Sequence, residues 1–155
     1  MLSDEAYMEM ALKQADLAAE QGEVPVGAVL ILPDGQQFVA YNAPIASSDA
    51  TAHAEIQVIR AACQAISNYR LVGAVLFVTL EPCAMCAGAI IHARIGRVVY
   101  GASEPKTGAV ESLYQLLSDQ RLNHQVNIQG GVLAAQCSAQ IKAFFQARRQ
   151  KINRG

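Results

Sequence analysis

The stretch Val72-Gly73-Ala74-Val75-Leu76-Phe77-Val78-Thr79-Leu80-Glu81-Pro82-Cys83-Ala84-Met85-Cys86 decides the architecture. Val72 to Leu80 carries no charge, the pattern of a central strand buried on both faces. After Pro82, Ala84 to about His92 reads as a helix, and the two cysteines mark its entry. A buried strand running into a helix belongs to an α/β domain.

Working outward, the chain before this unit reads as helix, hairpin and helix. Ser3 caps a first helix with Asp4 and Glu5 in its early turn, Met8, Leu12, Ala15 and Ala19 at helical spacing, and Gly22 as its stop. Val26 to Ile31 and Gln37 to Tyr41 flank Pro33-Asp34-Gly35, which predicts a β-hairpin. Asn42 to Asp49 has loop composition, and Thr51 is the expected cap of a helix through Ile56, Ile59, Ala62 and Cys63, with His53 and Glu55 in its first turn. Beyond His92, Arg97 to Gly101 is a short strand and Ser103 to Gly108 a polar loop. Gln125 to Ile128 gives a weaker strand signal, and an amphipathic helix at about 136–152 closes the chain on Ile141, Phe144 and Phe145. The sum is one domain over residues 1–155, with helices covering a central mixed sheet.

Composition agrees with a folded domain, since 52% of the residues are hydrophobic and only 16% are charged. No apolar run reaches the ~18 residues of a membrane span, and acidic Asp4 and Glu5 stand where a secretory signal carries basic residues, so a cytoplasmic location is expected. Residues 142–155 hold five basic side chains and no carboxylate. The first 141 positions keep seven basic against thirteen acidic residues, so a polyanion has to dock locally rather than on the whole surface.

Without a signal peptide, Cys83-x-x-Cys86 reads as metal or redox chemistry rather than a disulfide. Cys63 and Cys137 read as small apolar side chains in helices, and the isolated His92 and His124 as structural or surface residues. Cysteines at i and i+3 on the first turn of a helix share a face, and the unpaired N-H groups at a helix start favour thiolates. His53 adds a third ligand, and neither cluster contains a fourth soft one, which is the ligand count of a catalytic rather than a structural zinc. Two thiolates and a neutral imidazole cancel the zinc charge, so a nearby carboxylate must take the proton from an activated water. Glu55 is the candidate general base, and then acid, for hydrolytic loss of ammonia.

The pair His53-Ala54-Glu55 and Pro82-Cys83-Ala84-Met85-Cys86 resembles the zinc-dependent nucleoside deaminases. Further stretches are similar to the bacterial tRNA-specific adenosine deaminases: Glu23 to Val29, Asn42 with Pro44, Tyr69-Arg70-Leu71, Arg94 to Arg97, Lys106-Thr107-Gly108, Asn123-His124, and Phe144-Phe145 with Arg148-Arg149. The resemblance implies a cytidine-deaminase-like three-layer α/β/α sandwich with a mixed five-stranded sheet, one zinc per subunit and a homodimer. It implies His53, Cys83 and Cys86 as metal ligands, Glu55 as proton shuttle, and Asn42, Ala54, Glu104, Lys106, Arg148 and Arg149 as substrate contacts. The substrate it implies is the wobble adenosine of an arginine tRNA anticodon stem-loop, converted to inosine. Glu104 stands where many members carry aspartate, and Glu111 where glycine is usual, so RNA contacts there are expected to differ in geometry.

Two other readings use the same residues. A deaminase of guanine, cytosine or a nucleotide needs the zinc and Glu55 but no basic tail. A non-catalytic RNA-binding partner keeps zinc for folding and has no use for Glu55.

Overall fold

The computed structural model describes residues 1–154, with no side chain given for Arg154. Gly155, the last residue of the expected domain, and the Arg154 charge counted in the basic tail lie outside the described residues. The helices are α1 (Asp4–Glu20), α2 (Pro44–Ser47), α3 (Ala54–Ile66), α4 (Ala84–His92) and α5 (Ala134–Arg154). The strands are β1 (Gly27–Ile31), β2 (Gln37–Tyr41), β3 (Val75–Leu80), β4 (Arg97–Ala102) and β5 (Asn127–Gln129).

The strands form one sheet in the order β2-β1-β3-β4-β5. β1 is antiparallel to both β2 and β3, whereas β3, β4 and β5 run parallel, so the sheet is mixed. Alternation along the three central strands sorts side chains onto two buried faces. Ala28, Leu30, Leu76, Val78, Val98 and Tyr100 face α3 and α4 through Val58, Ala62, Ala87 and Ile90. Val29, Ile31, Phe77 and Val99 face the opposite layer, where Tyr7, Met8 and Ala11 of α1 and Cys137 of α5 close the core. The arrangement is the expected α/β/α sandwich. Burial on both faces is the physical reason that β1 and β3 contain no charge.

Boundaries differ from expectation where the signal is local. The Ser3 hydroxyl accepts the Ala6 N-H at 3.1 Å, as expected of a cap. Thr51 does not cap α3: its N-H and hydroxyl both donate to Asp49 Oδ1, and His53, in extended conformation, is the residue at the helix start. β3 begins at Val75 rather than Val72 because Gly73 turns the chain with φ +80°. The edge strand β5 is three residues long and starts two later than its sequence signal. α2, four residues within the expected loop, starts with proline and is too short to show a period.

Candidate active site

The site forms where two helix starts meet at the ends of the central strands. His53 stands immediately before α3 and Glu55 in its first turn, while Cys83 stands immediately before α4 and Cys86 in its first turn. His53 Nδ1 lies 3.7 Å from Cys83 Sγ and 3.5 Å from Cys86 Sγ, and the three ligand atoms fall within 4.8 Å of one another. Tetrahedral zinc bound at ordinary Zn–N and Zn–S lengths spaces its ligands by about 3.6 Å, so the donor set fits the ion.

Electrostatics point the same way. Hydrogen bonding to Cys86, and then to His53, holds the Cys83 thiol down at about 3, whereas the Cys83 sulfur and burial push Cys86 up. The Cys83 contact raises His53 despite its partial burial. Glu55 is only 4% exposed, and burial pushes its carboxyl up. Two sulfurs and a buried carboxylate with one imidazole among them are short of positive charge, and a divalent cation supplies it.

Above these groups opens a cavity of about 220 Å³, walled by Val24, Val26 and Leu80 and reached by Asn42, His53 and Glu55. This is below the roughly 300 Å³ at which pockets for drug-sized ligands begin, so it suits a single ring system. Asn42 is buried, its Oδ1 accepting the Ala54 N-H at 3.3 Å and its own N-H donating to the Val26 carbonyl. Ala54 is fully buried and meets the site through that bond.

Two further buried carboxylates hold the walls, and in the sequence they stand out only as members of longer motifs. Glu23 accepts the N-H groups of Ile45 (3.1 Å) and Ala46 (2.8 Å), which fixes the turn after Asn42. Glu81, 3% exposed, accepts the Glu104 N-H (3.0 Å) and Ser112 hydroxyl (2.5 Å) on Oε1, and the N-H groups of Val110 (3.1 Å), Glu111 (2.8 Å) and Ser112 (2.9 Å) on Oε2. Burial alone raises its pKa, but the donors from Glu111, Ser112 and Glu104 outweigh that and hold it at about 2. A carboxylate in an apolar stretch with no basic neighbour was the available signal.

The loop that Glu81 gathers carries two of the remaining candidates, Glu104 and Lys106. Glu104 is half-buried and accepts the Lys106 N-H, and Lys106 is exposed. Thr107 lines the cavity. Glu111 does not occupy a positive φ, and its carboxylate accepts the Tyr100 hydroxyl. Burial and that carboxylate push the Tyr100 phenol up. Arg148 and Arg149 are not brought to the cavity: both are exposed on α5, Arg148 over the Phe144 ring at 5.6 Å and Arg149 beside Phe145. His124 hydrogen-bonds the Ile95 carbonyl at 2.7 Å, a structural place. Among the described residues no helix is long and apolar enough to cross a membrane.

Comparison with known proteins adds a family. Residues 2–149 match the model of the MafB19-like deaminases. The tRNA-specific adenosine deaminase of Haemophilus influenzae is 49% identical over 150 residues, which cover 96% of this chain and 86% of that protein. A structure solved in a study of A-to-I editing by tRNA:A34 deaminases superposes with a TM-score of 0.83 at 47% identity, covering 87% of this chain and 98% of that one. The guanine deaminase of Nitrosomonas europaea shares the fold, with a TM-score of 0.79 at 18% identity over 93% of this chain and 85% of that one.

Proposed function

The chain belongs to the family of tRNA-specific adenosine deaminases, zinc-dependent hydrolases, and from that membership we propose that it converts the wobble adenosine of an arginine tRNA anticodon to inosine. The observation that carries this reading is a buried Glu55 beside the triad His53, Cys83 and Cys86, under a cavity with room for one base.

His53 Nδ1 and the sulfurs of Cys83 and Cys86 would hold zinc, which would supply Lewis acidity to an attacking water. Glu55 accepts the proton that this water gives up and delivers it to a ring nitrogen. It then serves the leaving amine, so adenosine and water become inosine and ammonia. Asn42 positions the base: with Oδ1 engaged by Ala54, its amide N-H₂ is the end available to a purine nitrogen. The apolar wall of Val24, Val26 and Leu80 takes the ring face. An adenine reaches such a depth only when flipped out of its stack, which a single-stranded anticodon loop allows at low cost.

Glu104 and Lys106, on the rim loop, contact the flanking nucleotides, and Arg148 and Arg149 bind phosphates of the stem from α5. The acting form is a cytoplasmic homodimer of single-domain subunits, for which exposed Ile45, Tyr69 and Val72 offer apolar area. The test is incubation of purified protein with an arginine tRNA carrying adenosine at the wobble position, followed by sequencing. Inosine at that position alone is expected. Turnover of free guanine or cytosine with none on the tRNA would transfer the site to a small-molecule substrate.

A further inference from the structure

We propose that Glu81 is a positioning residue for the reaction: it fastens the loop Ser103 to Ser112 onto the segment that bears Cys83, and so sets where Glu104, Lys106 and Thr107 stand over the cavity. The proposed tRNA activity enters only in the choice of substrate for the test.

The donors come from both ends of the loop. Glu104 stands at its start and Val110, Glu111 and Ser112 at its end, so one side chain draws the two ends together. Five donors share two oxygens, and among the described residues no cationic side chain bonds to them. The charge on Glu81 is therefore stabilised by four backbone N-H groups and one hydroxyl, and the backbone groups, being rigid, fix loop position more tightly than a flexible lysine would.

The middle of the loop is tied to the same segment. Gly108 pairs with Cys83 in an antiparallel bridge, and the Ala109 N-H donates to the Pro82 carbonyl at 2.8 Å. A Cβ on Gly108 would run into the Glu81 carboxyl group and the Glu104 carbonyl, so glycine there is a requirement of close approach. Next to it, Thr107 lines the cavity. Displacing Glu81 thus moves a cavity wall and its rim, while Glu55, on α3, is not part of the loop.

Three variants separate this role from simple loss of stability. Glu81→Gln exchanges one acceptor oxygen for a donor, and either amide orientation sets N-H against loop N-H. Glu81→Asp keeps the acceptors but retracts them by one methylene. Gly108→Ala leaves Glu81 intact and wedges the loop away from it. Each is assayed for zinc content, for amide hydrogen exchange across residues 104–112, and for kcat and KM on an RNA anticodon stem-loop.

Expected for Glu81→Gln and Gly108→Ala are retained zinc, faster exchange at Val110 to Ser112, and kcat/KM lower by about 10²-fold, carried mainly by KM. Glu81→Asp should lie between them and the wild type. If Glu81→Gln does not fold, Gly108→Ala and Glu81→Asp decide by the same readings. Unchanged loop exchange with unchanged KM overturns the proposal, as does a loss confined to kcat and accompanied by loss of zinc. A wild type that makes no inosine would defeat the proposed activity, yet exchange would still judge the loop.

Discussion

Cys83 and Cys86 are each expected to be indispensable for the metal, because their sulfurs lie 3.7 and 3.5 Å from His53 Nδ1 and complete the one His-Cys-Cys cluster found among the described residues. Cys83→Ala or Cys86→Ala should drop zinc well below one per chain in elemental analysis and lower the melting temperature, since metal binding contributes to folding. Full zinc in both variants would remove these cysteines from the ligand set. This triad and Glu55 were legible in the sequence because metal chemistry demands side chains of fixed type at short spacing. Glu23 and Glu81 were not legible as wall supports. Their partners, apart from the Ser112 hydroxyl, are backbone N-H groups 22 to 31 positions away, which leave no mark in residue type.

At the scale of elements, legibility followed burial. β1 and β3, buried on both faces, announced themselves as charge-free runs, whereas the three-residue edge strand β5 lacked the length to fix its own start. Thr51 matched the composition of a cap, yet Asp49 captured its hydroxyl and moved the helix start to His53. Pairings between elements were silent as well. Arg97, opening β4, makes a two-pronged pair with Asp4 in the first turn of α1, at 2.9 and 2.7 Å. Hydrogen bonding from Arg97 holds the Asp4 carboxyl below its ordinary value of 3.8. A depressed folded-state pKa means stability that is present above that ordinary value and lost as pH falls below it. Asp4→Asn should therefore cost about 0.2–1 kcal/mol in urea unfolding at neutral pH, as partly exposed pairs do, and the gap should close as the pH falls below 3.8 to the lower value that the folded state gives Asp4. A gap that persists in acid would assign the loss to packing instead.

For the whole molecule, charge is divided between a site built from an acidic body and a basic α5. Arg148 and Arg149 lie outside the cavity, so their expected part is affinity rather than chemistry. Arg148→Ala with Arg149→Ala should weaken tRNA binding and flatten its salt dependence, by about 0.9 in the logarithmic slope for each stem phosphate that the variant no longer neutralises. Single-turnover rate at saturating tRNA should hold. An unchanged slope would return both arginines to the surface charge that a helix end tolerates.

In the proposed mechanism of zinc-dependent deamination, Glu55 is the group that moves protons. The most direct test is single-turnover inosine formation on tRNA by Glu55→Gln, beside zinc content and tRNA affinity of the same preparation. Glutamine preserves size and hydrogen bonding but cannot take up and pass on a proton. The predicted result is full zinc, normal tRNA binding, and a rate lower by at least the ~10²- to 10⁴-fold that general acid-base groups contribute. Near wild-type turnover with zinc and tRNA both bound would contradict that role, whatever the family of the chain.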